Sequence, residues 1–137
     1  MRTAIDSNII SSIWSWEPTA ETVAVRLGQA KQERALIVSP FVFAELHAHP
    51  KMTPDSVQNF LENAGVAVDL KIEERVWTIA GLRYARYAGR RRKATGEGPR
   101  RILADFLIGA HALVQADRLL TLDPSRYSRD FPELRLL

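Results

Sequence analysis

Residues 2–8 read RTAIDSN, a short apolar run from Arg2 to Ile5 that stops at Asp6. Further along the chain, short apolar runs typical of strands alternate with longer segments whose apolar residues have helical spacing. Short, continuously apolar strands separated by helices indicate a parallel sheet covered by helices on both faces. The sequence therefore predicts an α/β fold. We expect a three-layer α/β/α sandwich around a short, mostly parallel sheet, in a single domain over residues 1–137.

The apolar patterns also predict the individual elements. The predicted strands are residues 2–5, 35–38, 66–68 and 119–122, with a possible short fifth strand at 134–136. The predicted helices are residues 7–14, about 19–34, a third that opens at Pro40 after Ser39, 53–64, about 71–91, and one that begins at Pro99 or Arg100. The stretch RRRKATGEGPR, residues 90–100, contains two glycines and a proline and is predicted to be a loop.

Composition excludes several classes of protein. The chain has 137 residues, of which 46% are hydrophobic and 26% charged, and this is an ordinary globular balance that argues against disorder or a fibre. It has no cysteine, which excludes disulfides, thiolate metal sites and a thiol nucleophile. It has no signal-peptide pattern and no apolar stretch near the ~18 residues of a membrane helix. We therefore expect a cytoplasmic protein with no membrane partner.

Charge is distributed unevenly along the chain. Residues 83–101 contain eight basic side chains and one acid, Glu97, whereas the rest of the chain has 11 basic and 15 acidic residues. A basic segment on an otherwise acidic protein forms an electrostatic patch suited to a polyanion. The alternative is a solvated loop tip without a ligand.

Four carboxylates interrupt apolar surroundings. Asp6 and Asp123 follow predicted strands, and the carboxyl ends of parallel strands form the ligand-binding edge of such a sheet. Glu45 and Asp105 lie inside apolar helical segments. A buried lone carboxylate costs several kcal/mol unless it is protonated, paired or metal-bound. A shared Mg²⁺ site would explain all four placements together.

Each carboxylate also has an ordinary explanation. Asp6 could be a helix N-cap, Asp123 a turn residue, and Glu45 a solvent-facing side chain. Asp105 could pair with Arg101 at i−4. Of the other polar residues, we expect His111 to be structural or exposed to solvent, and Asp55 and Asp69 to be helix N-caps.

Four sequence pieces carry a family resemblance. They are AIDSN (4–8), AEL (44–46), ILADFLIGAHAL (102–113) and LLTLDPSRY (119–127). In this order and over nearly the whole chain, they resemble PIN domains, specifically the VapC-type toxin ribonucleases of VapBC toxin–antitoxin pairs. The resemblance implies an endoribonuclease dependent on Mg²⁺ or Mn²⁺ and a VapB-type antitoxin that blocks its site. We also expect a homodimer.

The resemblance assigns Asp6, Glu45, Asp105 and Asp123 to the four acidic positions. Our hypothesis is that Asp6, Asp105 and Asp123 ligate metal. Glu45 would bind a second ion, or would orient or deprotonate the attacking water. The resemblance places Asn8 and Thr121 at supporting polar positions, from which they would orient the carboxylates by hydrogen bonds.

The same resemblance suggests a function for the basic segment, which is to bind RNA. The candidate RNA contacts are Arg90, Arg91, Arg92, Lys93, Arg100 and Arg101. The segment could instead serve the antitoxin. Two other classes of protein stay open: a structure-specific DNA nuclease on a similar sheet, and a non-catalytic binding module with a PIN-like or receiver-like fold.

Overall fold

The computed structural model of the protein describes residues 1–137 and contains one sheet of four strands. The strands are β1 (Arg2–Ile5), β2 (Ala35–Val38), β3 (Val66–Val68) and β4 (Arg118–Leu120). The helices are α1 (Ser7–Trp14), α2 (Ala20–Glu33), α3 (Pro40–Leu46), α4 (Pro54–Ala64), α5 (Glu74–Thr95), α6 (Leu103–Gln115) and α7 (Ser125–Ser128). The strand order is β3-β2-β1-β4, and every neighbouring pair is parallel. The predicted α/β fold is confirmed.

The central strands are buried on both faces. Leu36, Ile37 and Val38 are consecutive in β2, and each is less than 5% exposed. Because successive strand residues point to opposite faces, helices must cover the sheet on both sides. None of these helices combines the length and the hydropathy that crossing a membrane requires.

The strand order determines where a site can form. The chain leaves β1 toward β2 and β3, then returns to place β4 on the other side of β1. Ile5 and Leu120, the last residues of β1 and β4, are paired in register. The carboxyl ends of these two strands therefore form the switch point at which open α/β sheets bind ligands.

Local capping chemistry explains the start of α3 and both ends of α4. Ser39 accepts a hydrogen bond from Val42 N and Pro40 occupies the first turn, so α3 begins as the sequence predicts. Thr53 and Ser56 form a reciprocal capping box at the start of α4, and Gly65 ends that helix at φ 69°. The prediction that Asp55 caps α4 is wrong, because Thr53 takes that position and Asp55 lies in the first turn.

The basic segment differs from its prediction. Residues 90–95 are helical and form the end of α5, because Arg, Lys and Ala favour helix and cations stabilise a helix C-terminus. Gly96 ends the helix at φ 73°, and α6 begins at Leu103 rather than at Pro99 or Arg100. In place of the fifth strand there is an isolated parallel bridge between Leu119 and Leu136.

His111 lies in a buried polar cluster that the sequence did not predict. It is 1% exposed, and its Nε2 lies 2.9 Å from Asp69 Oδ2. The same carboxylate accepts a hydrogen bond from Gln115 Nε2 at 2.8 Å and pairs with Arg2 at 3.5 Å. The prediction that Asp69 is an N-cap is wrong, because α5 starts only at Glu74 and Asp69 binds this cluster instead.

The His111 cluster predicts a loss of stability in acid. Burial lowers the pKa of His111, and the hydrogen bond to Asp69 opposes this only in part. The unfolded chain, in which His has its ordinary pKa of about 6.5, therefore takes up the proton first as the pH falls. The contribution to stability is complete above about pH 6.5, and it declines below that toward the folded pKa, by at most about 1.4 kcal/mol per pH unit.

The measurement is urea unfolding between pH 7.5 and 5 for the wild type and His111→Gln. The variant keeps a donor for Asp69 but has no titrating ring. We expect the wild type to lose more stability than the variant on acidification. The exposed His47 and the half-buried His49 are present in both proteins, so their titration does not change the difference between the two curves. Parallel stability curves would therefore contradict a lowered pKa of His111.

Candidate functional site

Asp6 is the buried centre of the switch-point edge. It directly follows β1, is 3% exposed, and its backbone N–H donates to Leu120 O at 3.0 Å. Its Oδ1 accepts from Ser7 N at 2.8 Å, so Asp6 does cap α1 as the ordinary explanation has it. Its Oδ2 accepts from Thr121 Oγ1 at 2.9 Å and from the Tyr127 hydroxyl at 2.7 Å. Burial raises the pKa of Tyr127, so this phenol stays protonated and donates.

Asn8 and Thr121 connect the two strand ends. Asn8 Nδ2 donates to Thr121 Oγ1 at 3.3 Å, and Asn8 Oδ1 accepts from Leu122 N at 3.1 Å. Thr121 Oγ1 also accepts from Asp123 N at 3.1 Å while it donates to Asp6. The two side chains therefore fix the loop after β4 relative to Asp6.

Asp105 and Glu45 approach Asp6 from two helices. Asp105 lies in the first turn of α6 and is 8% exposed, whereas Glu45 lies on α3 at the exposed rim. Partial burial raises the pKa of Glu45, and the negative charges of Asp6 and Asp105 raise it further. Burial also raises the pKa of Asp105, against the opposing effect of Arg126 and Arg101. These three carboxylates form one electrostatically coupled group, the acidic cluster.

Asp123 is linked to this cluster through an arginine. Arg126 Nε lies 3.2 Å from Asp123 Oδ2, and its Nη1 lies 3.6 Å from Asp105 Oδ1. Asp123 Oδ1 also accepts from Ser125 Oγ at 2.8 Å. The guanidinium of Arg126 therefore occupies a cationic position between two of the predicted metal ligands.

The donor chemistry of the cluster fits a hard divalent cation, although the ligand set is not closed. All the candidate donors are carboxylate oxygens, and Asp105 is buried without accepting a hydrogen bond, its nearest cations being Arg126 at 3.6 Å and Arg101 at 3.7 Å. However, no three His, Asp or Glu side chains lie close enough together to share one ion. In this structure Arg126 provides the cationic charge between Asp105 and Asp123.

Sequence reasoning missed Arg126 and Tyr127, two of the three α7 residues that contact the candidate acids. The signal was present in the i, i+3 spacing of Asp123 and Arg126, which a single turn at the start of α7 brings together. The contact between Tyr127 and Asp6 spans 121 residues and leaves no local trace in the sequence.

The six predicted RNA contacts fall into two groups. Arg90 and Arg101 donate to Asp130 at 2.5 and 2.8 Å, and Arg91 donates to Gly98 O and Glu97. The pairing of Arg101 with Asp105, proposed above as an ordinary explanation, exists at 3.7 Å. The other three are exposed and make no side-chain hydrogen bond or ion pair: Arg92, Lys93 and Arg100.

Comparisons with known proteins identify similar folds and a family. A search of curated proteins found no match. The solved structures most similar in fold include VapBC2 from Rickettsia felis bound to a DNA fragment from their promoter, at TM-score 0.66 and 17% identity, covering 100% of this chain and 98% of that one. VapBC-1 from nontypeable Haemophilus influenzae matches at TM-score 0.63 and 24% identity, covering 100% and 97%. FitAcB from Neisseria gonorrhoeae matches at TM-score 0.62 and 19% identity, covering 98% and 96%.

At identities below 25%, these structural similarities show a shared fold and nothing more. The match to a sequence model of a family shows the family as well. The PIN domain model matches residues 3–131, which include all of β1 except Arg2, the whole of β4 and all four candidate acids. The resemblance drawn from the sequence is thereby confirmed at the level of the family. The chain belongs to the PIN domain family.

Proposed function

We propose that this protein is a metal-dependent endoribonuclease and the toxin of a type II toxin–antitoxin pair. The observation that carries the proposal is the acidic cluster. Partial burial and then the charges of Asp6 and Asp105 raise the pKa of Glu45, so the three carboxylates act on one another beyond the end of β1. Membership of the PIN family and the similarity of fold to VapBC structures favour a nuclease over a non-catalytic module.

Asp6, Asp105 and Asp123 would hold Mg²⁺, or Mn²⁺ in its place, because these ions prefer oxygen ligands. When bound, the ion would supply a water of lowered pKa and polarise the phosphoryl oxygen. A site of this kind needs no histidine or lysine base. The loop after β4 would have to bring Asp123 closer to Asp105 as Arg126 leaves its place between them.

The remaining residues would orient these groups. Thr121 and Tyr127 donate to one oxygen of Asp6 and leave its other oxygen on the side of Ser7 N, which fixes the plane of the carboxylate. Glu45 lies at the open rim, where it would orient the attacking water, accept its proton, or bind a second ion. Arg92, Lys93 and Arg100 would contact RNA phosphates, since their charges are not paired within the chain.

The proposed protein partners are a VapB-type antitoxin and a second copy of the chain. An apolar cavity of about 650 Å³ next to Trp14 and Trp16, the latter 84% exposed, is the kind of surface that protein partners cover. The antitoxin and the second copy of the chain are alternative occupants of this surface.

Metal removal tests the proposed chemistry. We expect the purified protein to cleave total RNA with Mg²⁺ and to lose cleavage completely in excess EDTA, with recovery when Mg²⁺ is restored. Because an ion that binds only the folded state stabilises it, Mg²⁺ at 100 times its Kd should add about 2.7 kcal/mol to the free energy of unfolding. RNA gels and thermal unfolding measure the two effects.

Calcium is the matched control, since it is also a hard cation but coordinates less rigidly than Mg²⁺. RNA cleavage that continues unchanged in EDTA would contradict a metal mechanism. Cleavage of flap DNA with RNA left intact would favour the alternative DNA nuclease.

A further inference from the structure

Beside the acidic cluster is a cavity of about 350 Å³, which we call the arginine cavity. Five arginines line it, together with one acid, Asp130; the arginines are Arg90, Arg91, Arg101, Arg126 and Arg129. Only two of its ten lining residues are hydrophobic, so its chemistry suits an anion rather than an apolar ligand. Two of the arginines, Arg126 on α7 and Arg129 directly after it, were not among the sequence candidates.

The cavity is a built structure. The Asp130 side chain is 3% exposed and accepts from Arg90 on α5 and from Arg101 before α6. The guanidinium of Arg101 also lies 4.6 Å from the centre of the Phe106 ring. These contacts fix the directions of two guanidinium groups before any ligand binds, which lowers the entropic cost of binding.

Donor capacity remains available in the cavity. Arg101 Nη2 is buried without a hydrogen-bond partner, whereas Arg101 Nε faces Asp105 at 3.7 Å; an orphaned donor of this kind costs about 1–3 kcal/mol until it is satisfied. Arg129 is exposed and makes no ion pair or side-chain hydrogen bond. A tetrahedral anion with several acceptor oxygens would satisfy donors of this planar kind.

The cavity adjoins the acidic cluster directly. Arg101 and Arg126 both line it, and both also flank Asp105, at 3.7 and 3.6 Å. An RNA strand with one phosphate at Asp105 would therefore have a neighbouring phosphate within reach of the cavity. The same two arginines would neutralise the strand beside the carboxylates, which otherwise repel it.

We propose that the arginine cavity is a subsite for the RNA backbone phosphate next to the scissile one. This rests on the proposed function for the identity of the polymer. The contact is to phosphate, so it positions the strand and does not read sequence. Arg129, the unpaired member, is the residue whose loss should affect binding without breaking an internal contact.

The test is the affinity of a 12-nucleotide single-stranded RNA, measured by fluorescence anisotropy in EDTA over a series of NaCl concentrations. Arg129→Gln should weaken binding about 10-fold at low salt. It should also reduce the slope of log K against log salt by about 0.7, the value for one phosphate of a single strand. Arg75→Gln is the matched control, an exposed arginine about 22 Å along α5 from Arg90, and it should bind as the wild type does.

Wild-type RNA affinity in Arg129→Gln would overturn the subsite. If Arg92→Gln loses affinity at the same time, the contact lies on the exposed end of α5. If Arg129→Gln loses antitoxin binding instead, the cavity belongs to an acidic segment of that partner. Cleavage assays with Mg²⁺ on the same proteins separate the two proposals. An Arg129-dependent affinity without cleavage in any protein would reject the nuclease, whereas Mg²⁺-dependent cleavage with unchanged affinity in Arg129→Gln would reject the subsite alone.

Discussion

Replacing Asp105 by asparagine is expected to abolish RNA cleavage, with a loss of about 1,000-fold or more, and to leave the fold intact. Asparagine has the same shape but lacks the charge that would hold a divalent ion. The Asp105 carboxylate accepts no hydrogen bond, and its two ion pairs are long, at 3.6 and 3.7 Å. Because burial raises the pKa of Asp105, its charged form is disfavoured in the folded state. The variant should therefore unfold at the wild-type temperature or above it.

RNA cleavage with Mg²⁺ and thermal unfolding by circular dichroism measure these two expectations. The Mg²⁺-dependent rise in stability should disappear in Asp105→Asn. Asp55→Asn is the matched control, an exposed acid in the first turn of another helix, and it should cleave RNA normally. More than about a tenth of wild-type activity in Asp105→Asn would remove Asp105 from the catalytic group.

Asp6 is a less clean target for the same chemistry. One oxygen of Asp6 accepts from both Thr121 and Tyr127, and the other accepts from Ser7 N. An asparagine amide would place its own donors against one of these groups and leave a buried donor unpaired. A loss of activity in Asp6→Asn would therefore combine a missing metal ligand with a damaged fold. For this reason Asp105→Asn is the better test of metal binding.

The acidic positions could be predicted from sequence because each carboxylate interrupts a local pattern. Asp6 and Asp123 follow apolar runs, and the parallel arrangement of β1 and β4 brings their carboxyl ends together. Asp105 was recognisable because a charge buried in an apolar helix requires a partner, whereas Glu45 is exposed, as its ordinary explanation expected. The sequence signal at each acid is local, and the general geometry of α/β sheets explains why Asp6 and Asp123 lie at the same edge of the sheet.

The partners of these acids could not be predicted. Arg126 belongs to α7, a four-residue helix after Pro124 that is too short to show a periodic pattern. Its position between Asp105 and Asp123 depends on how α7 packs against α6. Asp69 was assigned as a cap on local chemistry, yet its contacts with His111 and Gln115 span more than 40 residues.

The arginine run shows the limit of reading glycine and proline as loop signals. Gly96, Gly98 and Pro99 do mark a loop, but helix propensity carries α5 up to Thr95. Tertiary ion pairs then hold Arg90 and Arg101 on Asp130. The segment predicted to be one basic loop therefore has two parts. Its arginines held by Asp130 form a wall of the arginine cavity, and the residues around Gly96 form a short exposed loop.

The second large effect is expected at Gly109, where α6 meets the chain segment after α7. A Cβ at this position would lie 2.5 to 2.9 Å from three ring atoms of Phe131, which is fully buried. Phe131 follows Asp130 directly, so its ring cannot retreat without moving the carboxylate that holds Arg90 and Arg101. Gly109→Ala should lower the free energy of unfolding by about 1–3 kcal/mol, despite the better helix propensity of alanine.

Gly81→Ala is the matched control, because Gly81 is an exposed residue of α5 with no atom within 4 Å of a built Cβ. It should stabilise the protein by about 0.5–1 kcal/mol. Urea unfolding measures both variants, and they should move in opposite directions from the wild type. Equal stability of the two would mean that Phe131 moves aside freely, and the segment after α7 would then not be held firmly against α6. Since that segment includes Asp130 and follows Arg126, a rigid contact at Gly109 is what keeps the arginine cavity in position beside Asp105.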